Sequence, residues 1–133
     1  MTSRSLLTGR VAGPFAVAAA LALAGCGSDS GGSSATIPSD AGLVVYAGPG
    51  IKFDQTEYTA TAGSVKVAYS NRDAQRHTFD IIDADKTVIG KELAVGKSGD
   101  LDVGTYDLAA GTYTLECLVP GHDAMRATLT VTD

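Results

Sequence analysis

Short runs of alternating apolar and polar residues, separated by turn-forming residues, fill residues 41–133 of this 133-residue chain. The alternation is clearest in residues 64–70, 112–117 and 127–131, where apolar side chains recur at every second position. A period of two places one set of side chains on one face of a β-strand. Shorter candidate strands are residues 43–46, 57–61, 78–82, 87–89 and 100–103. Many short strands at close spacing predict an all-β sandwich or barrel with about seven to eight strands.

Turn signals separate these candidate strands, and helical signals are weak. Gly48-Pro49-Gly50 and the run 96–99 are of the kind that ends one strand and starts another. A short helical turn at 91–94 is the one helical segment that we expect. Residues 41–133 therefore predict a single domain with one modest core.

The N-terminus reads as an export signal followed by a flexible tether. Arg4 and Arg10 provide a positive region, and residues 15–24 are apolar but too short to span a membrane. Residues 23–26, Leu-Ala-Gly-Cys, resemble the lipobox of bacterial lipoproteins, which implies that Cys26 is lipidated; a plain signal peptide with a chance cysteine is the alternative. Residues 26–40 are rich in Gly and Ser, which predicts a flexible tether. We therefore expect an extracytoplasmic domain, anchored by lipid to the outer face of the bacterial cytoplasmic membrane.

The charge balance argues against one class of partner. Removal of residues 1–25 leaves eight Lys and Arg against fifteen Asp and Glu, a net charge of −7. A nucleic-acid-binding protein needs a basic face, so we expect no nucleic-acid partner. The acidic surface fits a solubility role or a basic partner, and we expect a monomer.

The residues with soft or imidazole side chains are concentrated in one constellation. Cys117, His122 and Met125 lie in one short segment, and His77 lies upstream. With Met1 and Cys26, these account for both Cys, both His and both Met of the chain. One thiolate, two imidazoles and one thioether are the donors of a mononuclear copper site. Zinc is the alternative metal, although methionine is a poor zinc ligand.

Two segments carry a family resemblance that covers most of residues 42–133. The segment 113–131, with its Cys117, Pro120-Gly121-His122 and Met125, resembles the ligand loop of the cupredoxins, small blue-copper proteins such as plastocyanin and azurin. The upstream residues that resemble the first-ligand region of this family are Phe53, Gly63, Val65, Val67, Asn71 and His77-Thr78-Phe79.

The resemblance implies a Greek-key β-sandwich that binds one type 1 copper ion. It implies that His77 and His122 bind through Nδ1, Cys117 through its thiolate and Met125 as a weak axial ligand. Thr78 is then placed near the Cys sulfur, and Asn71 braces the turn before His77. The His-x2-Met spacing is shorter than in many members, which leaves open the Met125–copper distance and an additional weak contact from the Arg76 carbonyl. The residues expected to form an apolar docking patch are Leu118, Val119, Pro120, Gly121 and Ala124.

Several functions compete for such a site. The first is a membrane-tethered carrier of single electrons between redox proteins, such as a cytochrome and a copper or haem oxidoreductase. The alternative is a copper carrier or store that delivers Cu(I) to an extracytoplasmic acceptor, although such proteins usually show additional surface ligands. We expect no enzymatic activity, because two histidines cannot supply a trinuclear copper centre and a Cys–His nucleophile would lie inside the sandwich. A metal-free recognition domain is disfavoured by the intact ligand set.

Overall fold

The computed structural model describes Gly13 and residues 35–133, and these last residues contain nine β-strands and no helix. The strands are β1 Leu43–Gly48, β2 Lys52–Phe53, β3 Glu57–Thr61, β4 Gly63–Asn71, β5 His77–Ile82, β6 Val88–Val95, β7 Leu101–Leu108, β8 Gly111–Glu116 and β9 Arg126–Thr132. Among the described residues, no helix is long and apolar enough to cross a membrane. Apart from Gly13, the predicted signal peptide lies outside the described residues, as do Cys26 and residues 27–34 of the predicted tether.

The strands form two mixed sheets. One has the order β2-β1-β4-β7 and the other β3-β9-β8-β5-β6. Two neighbouring pairs are parallel, β1 with β4 and β3 with β9, and the other pairs are antiparallel. The core between the sheets is built from their alternating inward side chains, as in β9, where Ala127, Leu129 and Val131 are buried. The aromatic rings of Phe53, Tyr69 and Phe79 meet in this core.

The structure differs from the predicted secondary structure in two places. The short helical turn expected at 91–94 is wrong, because these residues belong to β6. Leu93 and Val95 are buried on one face of β6 and pair with Phe79 and His77 of β5. Strand β2, only two residues long, was not predicted, since two residues show no periodicity. The other strands occur at the predicted places, with β6 and β7 longer than predicted.

The loops at one end of the sandwich position the candidate ligands. We call this the ligand end, and it comprises loops 72–76, 96–100 and 117–125. The opposite end, which we call the far end, comprises turns 83–87 and 109–110 and the C-terminal Asp133. Strand β5 begins at the ligand end with His77, and β8 ends there just before Cys117. The pairing of Asp80 with Glu116 places these two strands side by side, so ligands far apart in sequence become neighbours.

Candidate metal centre

Three buried donor side chains converge at the ligand end. The donor atoms of His77, Cys117 and His122 all lie within 4.8 Å of one another. The Cys117 Sγ atom is 3.5 Å from His122 Nδ1, and the two imidazole rings have their centroids 4.9 Å apart. His77 is fully buried, and Cys117 and His122 are only 5% and 6% exposed. The residues predicted as the strong ligands are therefore brought together.

A tightly folded loop presents Cys117 and His122. The His122 N–H donates to the Val119 carbonyl at 3.0 Å, and the Met125 N–H donates to the His122 carbonyl at 2.8 Å. The Cys117 N–H closes the loop by donating to the Met125 carbonyl at 3.2 Å. Gly121 has a φ of 87°, a value that glycine adopts without the steric cost of a side chain. Two consecutive turns thus return the chain to β9 with both ligands inside.

A carboxylate orients the first histidine. The Nε2 atom of His77 is 3.0 Å from Oδ2 of Asp73, which leaves Nδ1 as the free ring nitrogen. That Nδ1 is buried and has no hydrogen-bond partner among the described residues. The hydrogen bond with His77 holds the pKa of the Asp73 carboxyl below its ordinary value. Sequence reasoning missed Asp73, because only the folded turn distinguishes it from the other acidic residues of the chain.

Asn71 fixes the turn that carries Asp73. The Asn71 side-chain amide donates to the Gln75 carbonyl at 2.7 Å, and its Oδ1 accepts the Asp73 N–H at 2.7 Å. Asn71 is 1% exposed, so this bracing occurs in the interior. The side chain lies where the resemblance placed it, in the turn before His77.

Thr78 links the two ligand segments next to the sulfur. The Thr78 N–H donates to Cys117 Sγ at 3.3 Å, and the Thr78 hydroxyl lies 3.8 Å from the same atom. The hydroxyl oxygen accepts the Leu118 N–H at 2.8 Å. Thr78 therefore holds the Cys117 sulfur through its backbone N–H, and it holds the next residue, Leu118, through its hydroxyl.

The remaining predicted residues divide into an interior and a surface group. Met125 is fully buried, and its backbone bonds to His122 and Cys117 place its Cα beside both ligands. Leu118 is 49% exposed, while Val119 is partly buried and packs against the core. The other exposed residues of this loop are Pro120, Gly121, Asp123 and Ala124.

Comparison with known proteins locates the fold. No protein-family model matches the sequence, and no curated protein does. Solved structures do match. Auracyanin A, a "blue" copper protein from Chloroflexus aurantiacus, has 27% sequence identity and a TM-score of 0.57, with 67% of this chain and 96% of that chain covered. A dithionite-reduced auracyanin from Roseiflexus castenholzii has 21% identity and a TM-score of 0.57 over 68% and 96%. A purple cupredoxin from Nitrosopumilus maritimus has 19% identity and a TM-score of 0.51 over 68% and 99%.

The chain has the cupredoxin fold. The Greek-key β-sandwich predicted from the resemblance is thereby confirmed. In this cupredoxin fold, the His77–Cys117–His122 cluster fits a blue-copper protein.

The donors of this cupredoxin site suit copper on chemical grounds. A thiolate selects soft metals, and two imidazoles complete the trigonal His2Cys set of a type 1 centre. The orphaned Nδ1 of His77 supports the same assignment, because a buried nitrogen without a partner is costly unless something binds it. His77, Cys117 and His122 are thus positioned to form a site for one type 1 copper ion.

Proposed function

We propose that this protein carries single electrons between redox partners by means of one type 1 copper ion. The observation that carries the proposal is the buried cluster of donor atoms of His77, Cys117 and His122 on a cupredoxin fold. Met125 is proposed as the weak axial ligand, since it is fully buried and its backbone bonds to both ligands of its loop. Copper bound there supplies a one-electron Cu(I)/Cu(II) couple.

The chain supports this role by holding its donors in place. Asp73 fixes the ring of His77, and Thr78 fixes the sulfur of Cys117. Electron transfer needs little rearrangement between the two oxidation states, and ligands held by buried strands and hydrogen-bonded turns rearrange little. The hydrogen bonds to Cys117 also tune the potential, because they withdraw electron density from the thiolate.

The exposed part of the ligand loop supports a role in docking. Leu118, Pro120, Gly121 and Ala124 are exposed apolar or small residues of the loop that carries Cys117 and His122. Such a patch suits brief contacts with a redox protein, for which we propose a cytochrome or a copper or haem oxidoreductase. Val119 contributes less than predicted to this surface, because it packs partly inward.

The proposal includes attachment to a membrane. The lipobox-like residues 23–26 support lipidation of Cys26, which would tether the domain on the outer face of the cytoplasmic membrane. A single acyl chain gives only weak and reversible membrane binding, whereas diacylglyceryl modification provides two chains and therefore stable anchoring.

A copper titration with matched cysteine variants tests the proposal. One equivalent of Cu(II) is added to the metal-free wild type, to Cys117→Ser and to Cys26→Ser, and visible absorption and electron paramagnetic resonance spectra are recorded. We expect an intense thiolate-to-copper band and narrow copper hyperfine splitting in the wild type and in Cys26→Ser. Both features should be lost in Cys117→Ser, because the serine hydroxyl cannot replace the thiolate.

The opposite result is equally informative. A colourless wild-type protein, or one with only the weak spectrum of non-specifically bound Cu(II), would contradict the electron-carrier proposal. It would favour the copper carrier or store, which binds Cu(I) with the same ligands. In the described residues no specific observation favours that alternative, since the three strong donors are buried rather than arranged for staged transfer.

A further inference from the structure

The segment before β1 reverses direction along the domain. Gly42 donates its N–H to the Lys66 carbonyl at 2.8 Å, which places it beside the middle of β4. Asp40 forms an ion pair with the Lys66 side chain, and Ala41 N–H donates to the Pro38 carbonyl at 3.2 Å in a tight turn. The preceding residues then run back along the domain, and the Ala35 N–H reaches the Gly99 carbonyl at 3.4 Å.

Ala35 therefore lies at the ligand end. Gly99 donates its N–H to the Asn71 carbonyl at 2.9 Å, and the Asn71 side chain braces the turn that carries Asp73. Ala35 also lines one surface cavity together with Ile37 of its own segment, Tyr46 of β1 and the ligand-end residues Arg72, Lys97 and Ser98. The predicted tether thus leaves the described domain beside the turn that leads to the first ligand.

The two ends differ in charge. The cations of the ligand end are Arg72, Arg76 and Lys97. The three carboxylates of its loops, Asp73, Asp100 and Asp123, balance these positive charges. The far end carries Asp83, Asp85 and Asp133 against the single cation Lys86, with Asp107 of β7 close by. A negatively charged lipid surface consequently repels the far end more strongly than the ligand end.

Tether length limits how the domain can turn. Eight residues, 27–34, lie between Cys26 and Ala35, and the nine Cα-to-Cα steps of this segment reach about 30 Å when fully extended and about 17 Å on average as a Gly-rich coil. The nine-residue strand β4 has about the same length of 30 Å. With the exit point at the ligand end, an average tether keeps that end closer to the lipid than the far end.

We propose that the ligand end faces the membrane, so that its partner is a membrane-bound redox protein whose electron-exchange site lies close to the lipid surface. This inference rests on the proposed lipid anchor and electron transfer. In this orientation Leu118 and Ala124 point toward partners that share the bilayer. A partner confined to the soluble phase would have to enter between the domain and the lipid.

Energy transfer to lipid headgroups tests the orientation. The full-length chain is purified with its lipid, loaded with copper and kept reduced, so that the thiolate-to-copper band does not quench dyes. Ala124 of the ligand end or Ala84 of the far end, both exposed turn alanines, is replaced by an azido residue that takes a donor dye. The protein is placed in phosphatidylcholine–phosphatidylglycerol vesicles with an acceptor dye on the headgroups. Because about 30 Å of strand separates the ends, we expect about twofold higher transfer from position 124 than from position 84.

Two further measurements identify what causes the difference in energy transfer between the two positions. Insertion of a long Gly/Ser segment between Gly32 and Ser33 should remove most of the difference, since it frees the domain from the short tether. Vesicles of phosphatidylcholine alone should reduce it, since they lack the anionic headgroups.

Two results would overturn the proposal. One is equal or higher transfer from position 84, and the other is a purified chain whose mass shows no lipid. Neither would affect the copper assignment, because oxidation of the same sample reports the blue band independently.

Discussion

Replacing Asp73 by Asn tests how the chain tunes its metal. The Asp73 carboxylate accepts a hydrogen bond from the Nε2 of buried His77 at 3.0 Å. A carboxylate on the far nitrogen makes an imidazole a stronger donor, and Cu(II) gains more from a strong donor than Cu(I) does. Asparagine keeps the shape and one hydrogen bond but removes the negative charge. We therefore expect the reduction potential to rise in Asp73→Asn.

The size of the rise follows from the binding of the two oxidation states. Removal of the hydrogen-bond partner on the other ring nitrogen of a metal-bound histidine typically lowers the metal affinity about tenfold to a hundredfold. A loss about tenfold larger for Cu(II) than for Cu(I) corresponds to about 59 mV for a one-electron couple. Asp73 is only 12% exposed, so solvent replaces little of the lost interaction.

Voltammetry and competitive Cu(II) titration of the same variant measure both quantities. Asp123→Asn is the matched control, because Asp123 lies next to His122 but is exposed. A higher reduction potential in Asp73→Asn, together with a potential near the wild-type value in Asp123→Asn, supports the reasoning. An unchanged or lower potential in Asp73→Asn, with the copper spectrum intact, would refute it.

Three further predictions concern single buried side chains. Thr78→Val removes the hydroxyl near Cys117 Sγ. Loss of about 1 kcal/mol of hydrogen bonding should lower the reduction potential by about 43 mV in voltammetry. A higher potential in this variant would contradict the role of the hydroxyl. Met125→Leu keeps the packing but removes the thioether. The reduction potential should then rise by about 59 mV for each tenfold loss of Cu(II) affinity relative to Cu(I) affinity. An unchanged potential would identify Met125 as core packing alone. Burial, then the charges of Glu92 and Glu116, raises the pKa of Asp80 from 3.8 to about 6. The native state therefore binds more protons than the unfolded state between these values, so the Asp80 contribution to stability falls as pH rises from about 4 to above 6. Asp80→Asn should flatten this slope in denaturant titrations and add at most about 3 kcal/mol at pH 7, and an unchanged slope would contradict the shift.

The strands were predictable where one face is buried and the other is exposed. In β9 and β3 apolar and polar residues alternate, and the burial follows the same alternation. In β6 the pattern is irregular, because Gly90, Lys91 and Glu92 are all exposed before Leu93 and Val95 turn inward. Only pairing with β5 makes this segment a strand, and pairing across the chain is not visible in a local window.

The candidate ligands were predictable because the chain has so few Cys, His and Met residues. Their convergence depends on β5 and β8 being neighbours, which the pairing of Asp80 with Glu116 shows and no local sequence pattern marks. The role of Asp73 was not predictable in the same way, since the sequence contains many acidic residues and only the folded turn directs this one at His77. The return of residues 35–42 along the domain likewise depends on contacts with Lys66 and Gly99 that no sequence pattern marks.

Voltammetry of the copper-loaded protein tests the central claim most directly. If the buried His77–Cys117–His122 cluster holds a type 1 copper ion for electron transfer, the protein should give a reversible one-electron wave that is absent from Cys117→Ser. The blue band should disappear on reduction and return on reoxidation over repeated cycles. An absent wave, or loss of the metal on reduction, would contradict the electron-carrier account.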